Sequence, residues 1–207
     1  MTEGEGDKLK YFVYGSKEVD YLKKRDARLG AAIDEIGPIK RPITPDPFTS
    51  LVGSIVNQQI SNKAAATVRG RLLNLVGEIT PQNIASKSLE EIQGCGMSQR
   101  KAGYIKGIAA AALSGQVDFA RLRDMQDQEV IKVLTSLRGV GVWTAEMLLI
   151  NSLCRPDIVS YRDLAIRRGM MRLYDLEELP RKTFDYYRQR YSPYGSVASL
   201  YLWALSV

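Results

Sequence analysis

Asp163 stands among Arg162, Arg167 and Arg168 at what reads as the head of a helix, twenty residues beyond Trp143. One carboxylate can stabilise positive charge building on a reacting carbon, and can orient or deprotonate an attacking water. A helix N-terminus and neighbouring guanidiniums favour its charged form. Without context, the same aspartate is an N-cap satisfying orphan N–H groups. Upstream runs Leu137-Arg-Gly-Val-Gly141, followed at once by an apolar helix that opens with Trp143. Its glycines permit positive φ and close backbone approach. They leave N–H groups pointing outward at a helix N-terminus, a nest able to hold a phosphate oxygen. Gly139, Val140 and Gly141, with Arg138 and Thr144 beside them, are the candidates for that grip. A tight helix–helix turn is the plainer reading of a short glycine motif. Trp143 offers either an aromatic platform or a core ring. Asp157, in Arg155-Pro-Asp157, is a rival carboxylate that reads as a cap or a structural pair.

Composition removes whole classes of chemistry. The 207 residues contain no histidine and two cysteines, Cys95 and Cys154. That excludes a Ser-His-Asp triad, a Cys-His pair and a His-based zinc site, and no Cys-x-x-Cys or D-x-D-x-D run supplies another metal site. The two thiols are expected to be reduced. A net charge of +6 favours a polyanionic partner. No run approaches the roughly 18 to 20 apolar residues of a membrane span. The N-terminus, Met1 to Lys8, is polar and acidic and lacks a signal-peptide core. An intracellular protein without a membrane partner is expected.

The elements that must position these residues read as helices. Val19, Leu22, Leu29, Ile33 and Ile36 recur at helical spacing from Ser16 to a Gly37-Pro38 stop, predicting one helix there. A connector with three prolines, Arg41 to Pro47, follows. Asp46-Pro47 then predicts an N-cap and first position for a helix through roughly Gln59. Further starts are predicted at Ser61, Thr80-Pro81, the capping box Ser88-Leu-Glu-Glu91, Ser98 (running to Leu113) and Asp127 (running to Leu137). Two last helices are expected from about Pro180 to Gln189 and from Pro193 to the end. No window alternates long enough for a strand. The fold class is all-α, read as two helical lobes with a cleft between them. One lobe is a barrel-like bundle, 46–164, holding the helix-hairpin-helix at about 130–152; the other joins 1–45 to 165–207.

Taken together, Leu137-Arg-Gly-Val-Gly-Val-Trp-Thr-Ala145, Arg155-Pro-Asp157 and Arg162-Asp-Leu-Ala-Ile-Arg-Arg168 resemble the helix-hairpin-helix DNA glycosylases, whose signature is a hairpin, a Gly/Pro-rich loop and a downstream aspartate. Asp46-Pro-Phe48 with Ser54 to Ser61, Gly96 to Ile105, and Ser192 to Trp203 match further motifs in order. Within that superfamily the chain is most similar to the alkylated-base branch, the 3-methyladenine DNA glycosylase II family. The resemblance implies that Asp163 is the catalytic carboxylate near the sugar C1′. It sets Trp143, Tyr161, Tyr194 and Phe48 around the flipped base, where an aromatic face attracts a purine made cationic by alkylation. Gln59 matches the family's wedge side chain, with Gln58 and Ile60 as its neighbours. Ser98 and Lys101, with Arg100, are candidate phosphate contacts, or solvated surface.

Where bifunctional members carry a Schiff-base lysine this chain has Trp143, so the resemblance implies a monofunctional, water-using enzyme. No cysteine lies beyond Cys154, so no iron–sulfur cluster is expected; the only cofactor implied is a monovalent Na or K ion on hairpin backbone carbonyls. The expected partner is double-stranded DNA containing a damaged base, met by a monomer. The Val159-Ser-Tyr-Arg162 loop departs from the family's Pro-Val-Gly. Uracil, mismatch or oxidised-base removal on the same scaffold, and a non-catalytic DNA-binding module, are the alternatives.

Overall fold

A computed structural model describes residues 9–207. The polar Met1–Lys8 stretch, read above for its lack of a signal peptide, lies outside them. Among the described residues the fold is all-α apart from one short ribbon, and no helix there is long and apolar enough to cross a membrane. It divides into two compact units: 1–43 with 149–207, and 44–148. The second boundary falls inside a helix and well before Asp163. Residues 149–164, assigned by sequence to the central lobe, therefore belong with the terminal segments.

The terminal unit begins with β1 (Lys10–Tyr11), which pairs antiparallel with β2 (Pro42–Ile43), Lys10 opposite Ile43. The sequence reading had no strand here, because two residues are too few to show a period. Nor is Ser16 to Ile36 one helix. α1 (Ser16–Arg25) ends at Asp26, which turns extended (φ −146°, ψ 108°) and caps α2 (Ala27–Ile36) by accepting from Leu29 N–H. Gly15 is the N-cap of α1, its N–H bonded to Glu18. The apolar spacing runs through the break unaltered, so periodicity could not reveal it. At the C-terminal end α10 (Leu164–Tyr174), α11 (Arg181–Tyr191) and α12 (Gly195–Leu205) complete the unit. α12 is buried from Gly195 to Leu202, as an all-round apolar helix must be. α10 crosses it so closely that a Cβ on Gly169 would overlap the Leu202 carbonyl.

The central unit holds α3 (Pro47–Asn57), α4 (Asn62–Val76), α5 (Pro81–Ala85), α6 (Leu89–Gly94), α7 (Gln99–Leu113), a 3-10 turn at Arg121–Arg123, and α8 (Asp127–Thr135). It closes with the first residues of α9 (Val142–Asn151), the helix in which the boundary falls. Polar N-caps start these helices: Asp46, Ser61, Thr80, Ser88 and Ser98 each accept from the backbone N–H three residues on. Leu51, Val52 and Ile55 of α3, all fully buried, form the centre against α4 and α7. α3 and α8 each stop two residues before their expected ends, because Gln58 and Ser136 leave the ladder as C-caps.

Candidate active site

The hairpin half lies in the central unit. Gly139 has φ +87°, and a Cβ there would overlap the Tyr104 ring, so backbone and packing both demand glycine. Gly141 differs. Its φ is unexceptional and an added Cβ would meet nothing within 4 Å, so the exposed backbone lies open to an approaching group. Val140 and Thr144 are buried (6% and 3% exposed), leaving only their backbone for a ligand. Arg138 is exposed and lines, with Arg100, Gly103, Tyr104 and Gly107, a groove of about 690 Å³ beside the hairpin. The carbonyls of Leu137 and Gly139 already accept from Val140 N and Gln58 Nε2, so a cation bound there would share them. Trp143, the second residue of α9, has 40% of its surface exposed, unusual for an indole in a helix this apolar.

Two candidates of this unit have other tasks. Phe48 is not a pocket wall. It is 3% exposed and packs edge-on to Phe119 at 5.4 Å, a core ring placed by its position just after Pro47. Lys101 is not a freely solvated side chain. Its Nζ donates to the carbonyls of Val56 (2.9 Å) and Gln58 at the end of α3. Ser98 Oγ accepts from Lys101 N–H as the cap of α7. Gln58 is half-buried, whereas Gln59 and Ile60 are exposed.

The carboxylate half lies in the terminal unit. Asp163 is 6% exposed and caps α10, its Oδ1 accepting from Ile166 N–H at 2.9 Å. The sequence pointed to Arg162, Arg167 and Arg168 as its cationic neighbours. Arg162 and Arg168 are exposed, and Arg167 lies over the Tyr161 ring at 5.0 Å. Arg41 is the residue that sequence missed. Its Nε donates to Asn151 Oδ1 (3.3 Å), its guanidinium lies 4.7 Å from the Trp203 ring centre, and its charge interacts with Asp163. Burial pulls the Arg41 guanidinium below its ordinary value and the Asp163 carboxylate pushes back up. Only the proline-rich connector marked this stretch in sequence, and it says nothing of a partner in α10's cap.

Tyr161 meets Phe184 edge-on at 5.1 Å, lies under both Arg167 and Arg181, and donates to the Leu179 carbonyl. Tyr194 is half-buried at the start of α12, 5.2 Å from Tyr21. Both rings are thus engaged in the packing of their own unit. Asp157 accepts from Ser192 Oγ (2.6 Å) and Gly195 N–H (3.1 Å) and pairs with Arg188, which ties the loop before α9's successor helices to the start of α12. Its oxygens are committed to structure. Among the described residues no His, Cys, Asp and Glu cluster could hold a metal ion.

A family model described as HhH-GPD superfamily base excision DNA repair protein matches residues 52–192. The chain is 32% identical over 184 residues to DNA-3-methyladenine glycosylase 1 of Schizosaccharomyces pombe, spanning 86% of this chain and 81% of that one. Among solved structures, a DNA-3-methyladenine glycosidase from Bacillus halodurans matches with a TM-score of 0.85 at 38% identity, covering 96% of this chain and 93% of its own. A 3-methyladenine DNA glycosylase of the same yeast, in complex with abasic DNA, matches at 0.80 and 30% identity, covering 91% and 95%.

Proposed function

The chain belongs to the HhH-GPD superfamily of base excision DNA repair proteins, and from that premise we propose that it is a monofunctional DNA glycosylase releasing alkylated purines of the 3-methyladenine and 7-methylguanine type. The observation that carries this reading is Asp163, a buried carboxylate at the head of α10 downstream of the glycine hairpin.

Each half has one task. The N–H groups around Gly141 hold a phosphate of the DNA backbone, with Arg138 adding charge. The reactive base leaves the stack, since its glycosidic bond cannot be reached inside a duplex. As the C1′–N bond breaks, its electron pair departs with the base, which alkylation has already made a good leaving group. The sugar becomes cationic, and the Asp163 carboxylate stabilises that charge. Water then adds to C1′ and gives its proton to Asp163, leaving an intact abasic site. The exposed Trp143 indole supplies an electron-rich face suited to a cationic purine. With an indole where a lyase needs an amine, no Schiff base forms and no backbone cleavage follows. No iron–sulfur cluster takes part in this reaction. The enzyme acts as a monomer, inside the cell where its DNA lies.

Base release from N-methylated purine duplexes tests this. Asp163→Asn should release bases about 10³-fold more slowly, the scale of a lost acid–base group. It should still bind abasic DNA, because asparagine caps a helix as well as aspartate. Release at the wild-type rate would remove Asp163 from the chemistry. A covalent adduct trapped by borohydride would overturn the monofunctional assignment.

A further inference from the structure

The turn between α3 and α4 is held on three sides and strained in the middle. At its start, the ammonium of Lys101 reaches from α7 to cap the last carbonyls of α3, those of Val56 and Gln58. At its end, Ser61 caps α4. From its side, Gln58 Nε2 donates to the carbonyl of Gly139 in the hairpin at 3.1 Å. Gln59 then sits at φ +57°, a left-handed conformation that non-glycine residues keep only where their surroundings over-determine it. Gln59 and Ile60 (39% exposed) are what this arrangement presents to solvent.

Lys101 is an unusual cation for a DNA-facing surface. Among the described residues no carboxylate pairs with it; its donors go to main-chain carbonyls, and burial pulls its ammonium below the ordinary lysine value. A lysine spent in this way has little left for a phosphate. It fixes instead where the turn stands, while Gln58 fixes the turn against the hairpin.

We propose that Lys101 and Gln58 form a clasp that keeps the Gln59–Ile60 turn in register with the Gly139 hairpin, making Lys101 a positioning residue for base opening and not a phosphate ligand. The inference rests on the glycosylase reading. The hairpin grips the backbone and the turn enters the stack beside it, so an error in their spacing is felt directly when the base is displaced. Misplacement of about 1 Å at a reacting site costs up to about 10²-fold.

The test reads opening and binding without cleavage, using a duplex with 2-aminopurine beside a methylated purine whose 2′-fluorinated sugar resists hydrolysis. Lys101→Met should lower the fluorescence-detected opening rate about tenfold to a hundredfold. It should leave the salt dependence of binding at the wild-type slope. A phosphate ligand would instead reduce that slope by about 1, and that result overturns the proposal. Gln58→Ala should slow opening in the same sense, and the double variant should lose less than the product of the single losses, because both act through one clasp. If Lys101→Met fails to fold, Gln58→Ala carries the test, and wild-type opening in that variant overturns the clasp. A wild type that opens the site yet releases no methylated purine would sink the substrate assignment and leave the clasp standing; one that opens nothing would sink both.

Discussion

In the hairpin half, the groups proposed to meet DNA are exposed backbone and side chains, and their support comes from neighbours of the same unit. Tyr104 backs Gly139, Gln58 bonds to its carbonyl, and Lys101 closes the end of α3. The carboxylate half is also supported from within its own unit, but its reacting group is buried. Asp163 is 6% exposed, and its cationic neighbour Arg41 comes from the connector after α2, held by Asn151 and Trp203. The difference fits the work proposed for each half. A grip that ignores sequence needs donors open to a phosphate. A charge that stabilises a cationic sugar acts most strongly where water is excluded and its surroundings are fixed.

The sharpest way to break this contrast lies within the hairpin itself. Gly139→Ala should cost about 2–4 kcal/mol of stability, from a left-handed backbone and overlap with Tyr104. Gly141→Ala should unfold with the wild type in denaturant, since its Cβ meets open space, yet bind DNA about tenfold more weakly as the methyl group crowds the phosphate nest. Equal stability losses in the two variants would erase the distinction between a packing glycine and a contact glycine. On the other side, Arg41→Met should slow base release about tenfold, equivalent to about 1.4 kcal/mol of barrier. Its salt slope for DNA binding should stay unchanged; a reduced slope would make Arg41 a phosphate contact.

The smallest effect is a response to acid confined to the terminal unit. Burial pushes the Asp26 carboxyl up, but hydrogen bonds from Leu29 N–H, Tyr174 and Arg190, with the Arg190 charge, outweigh it and hold the group below its ordinary value. A carboxylate depressed in the folded state adds stability above its unfolded value, and that stability is lost as pH falls through the folded one. Denaturant midpoints should therefore begin to drop below about pH 4, the ordinary aspartate range. Asp26→Asn should flatten part of that slope. Fluorescence of Trp203, in the terminal unit, should report the loss before that of Trp143, in the central one.

Much of the scaffold was legible because its signals are local. Ser61, Ser88, Ser98 and the Asp46-Pro47 pair start helices where their side chains say they should, since a cap acts over three residues. The break at Asp26 has the same chemistry but hides inside an unbroken apolar period. Phe48 was misread as a wall; its place one turn before Val52 and two before Ile55 marks the core face. Arg41 was not read as a site residue, and Lys101 was read only as a phosphate contact or solvated surface. Each acts on residues far along the chain, Asn151 and Trp203 for one and Val56 and Gln58 for the other. A basic residue looks the same in sequence whether it meets a phosphate, a carboxylate or the end of a helix.

Gly169 is no part of the proposed site; it is a buried glycine inside α10. Yet any side chain there would pry α10 off the Leu202 carbonyl, and α10 is the helix whose first turn Asp163 caps. A random mutagenesis screen for cells sensitised to methylating agents should recover lesions at Gly169 alongside those at Asp163. Immunoblots would separate the two classes: full-length protein at normal abundance for the carboxylate, depleted protein for the glycine.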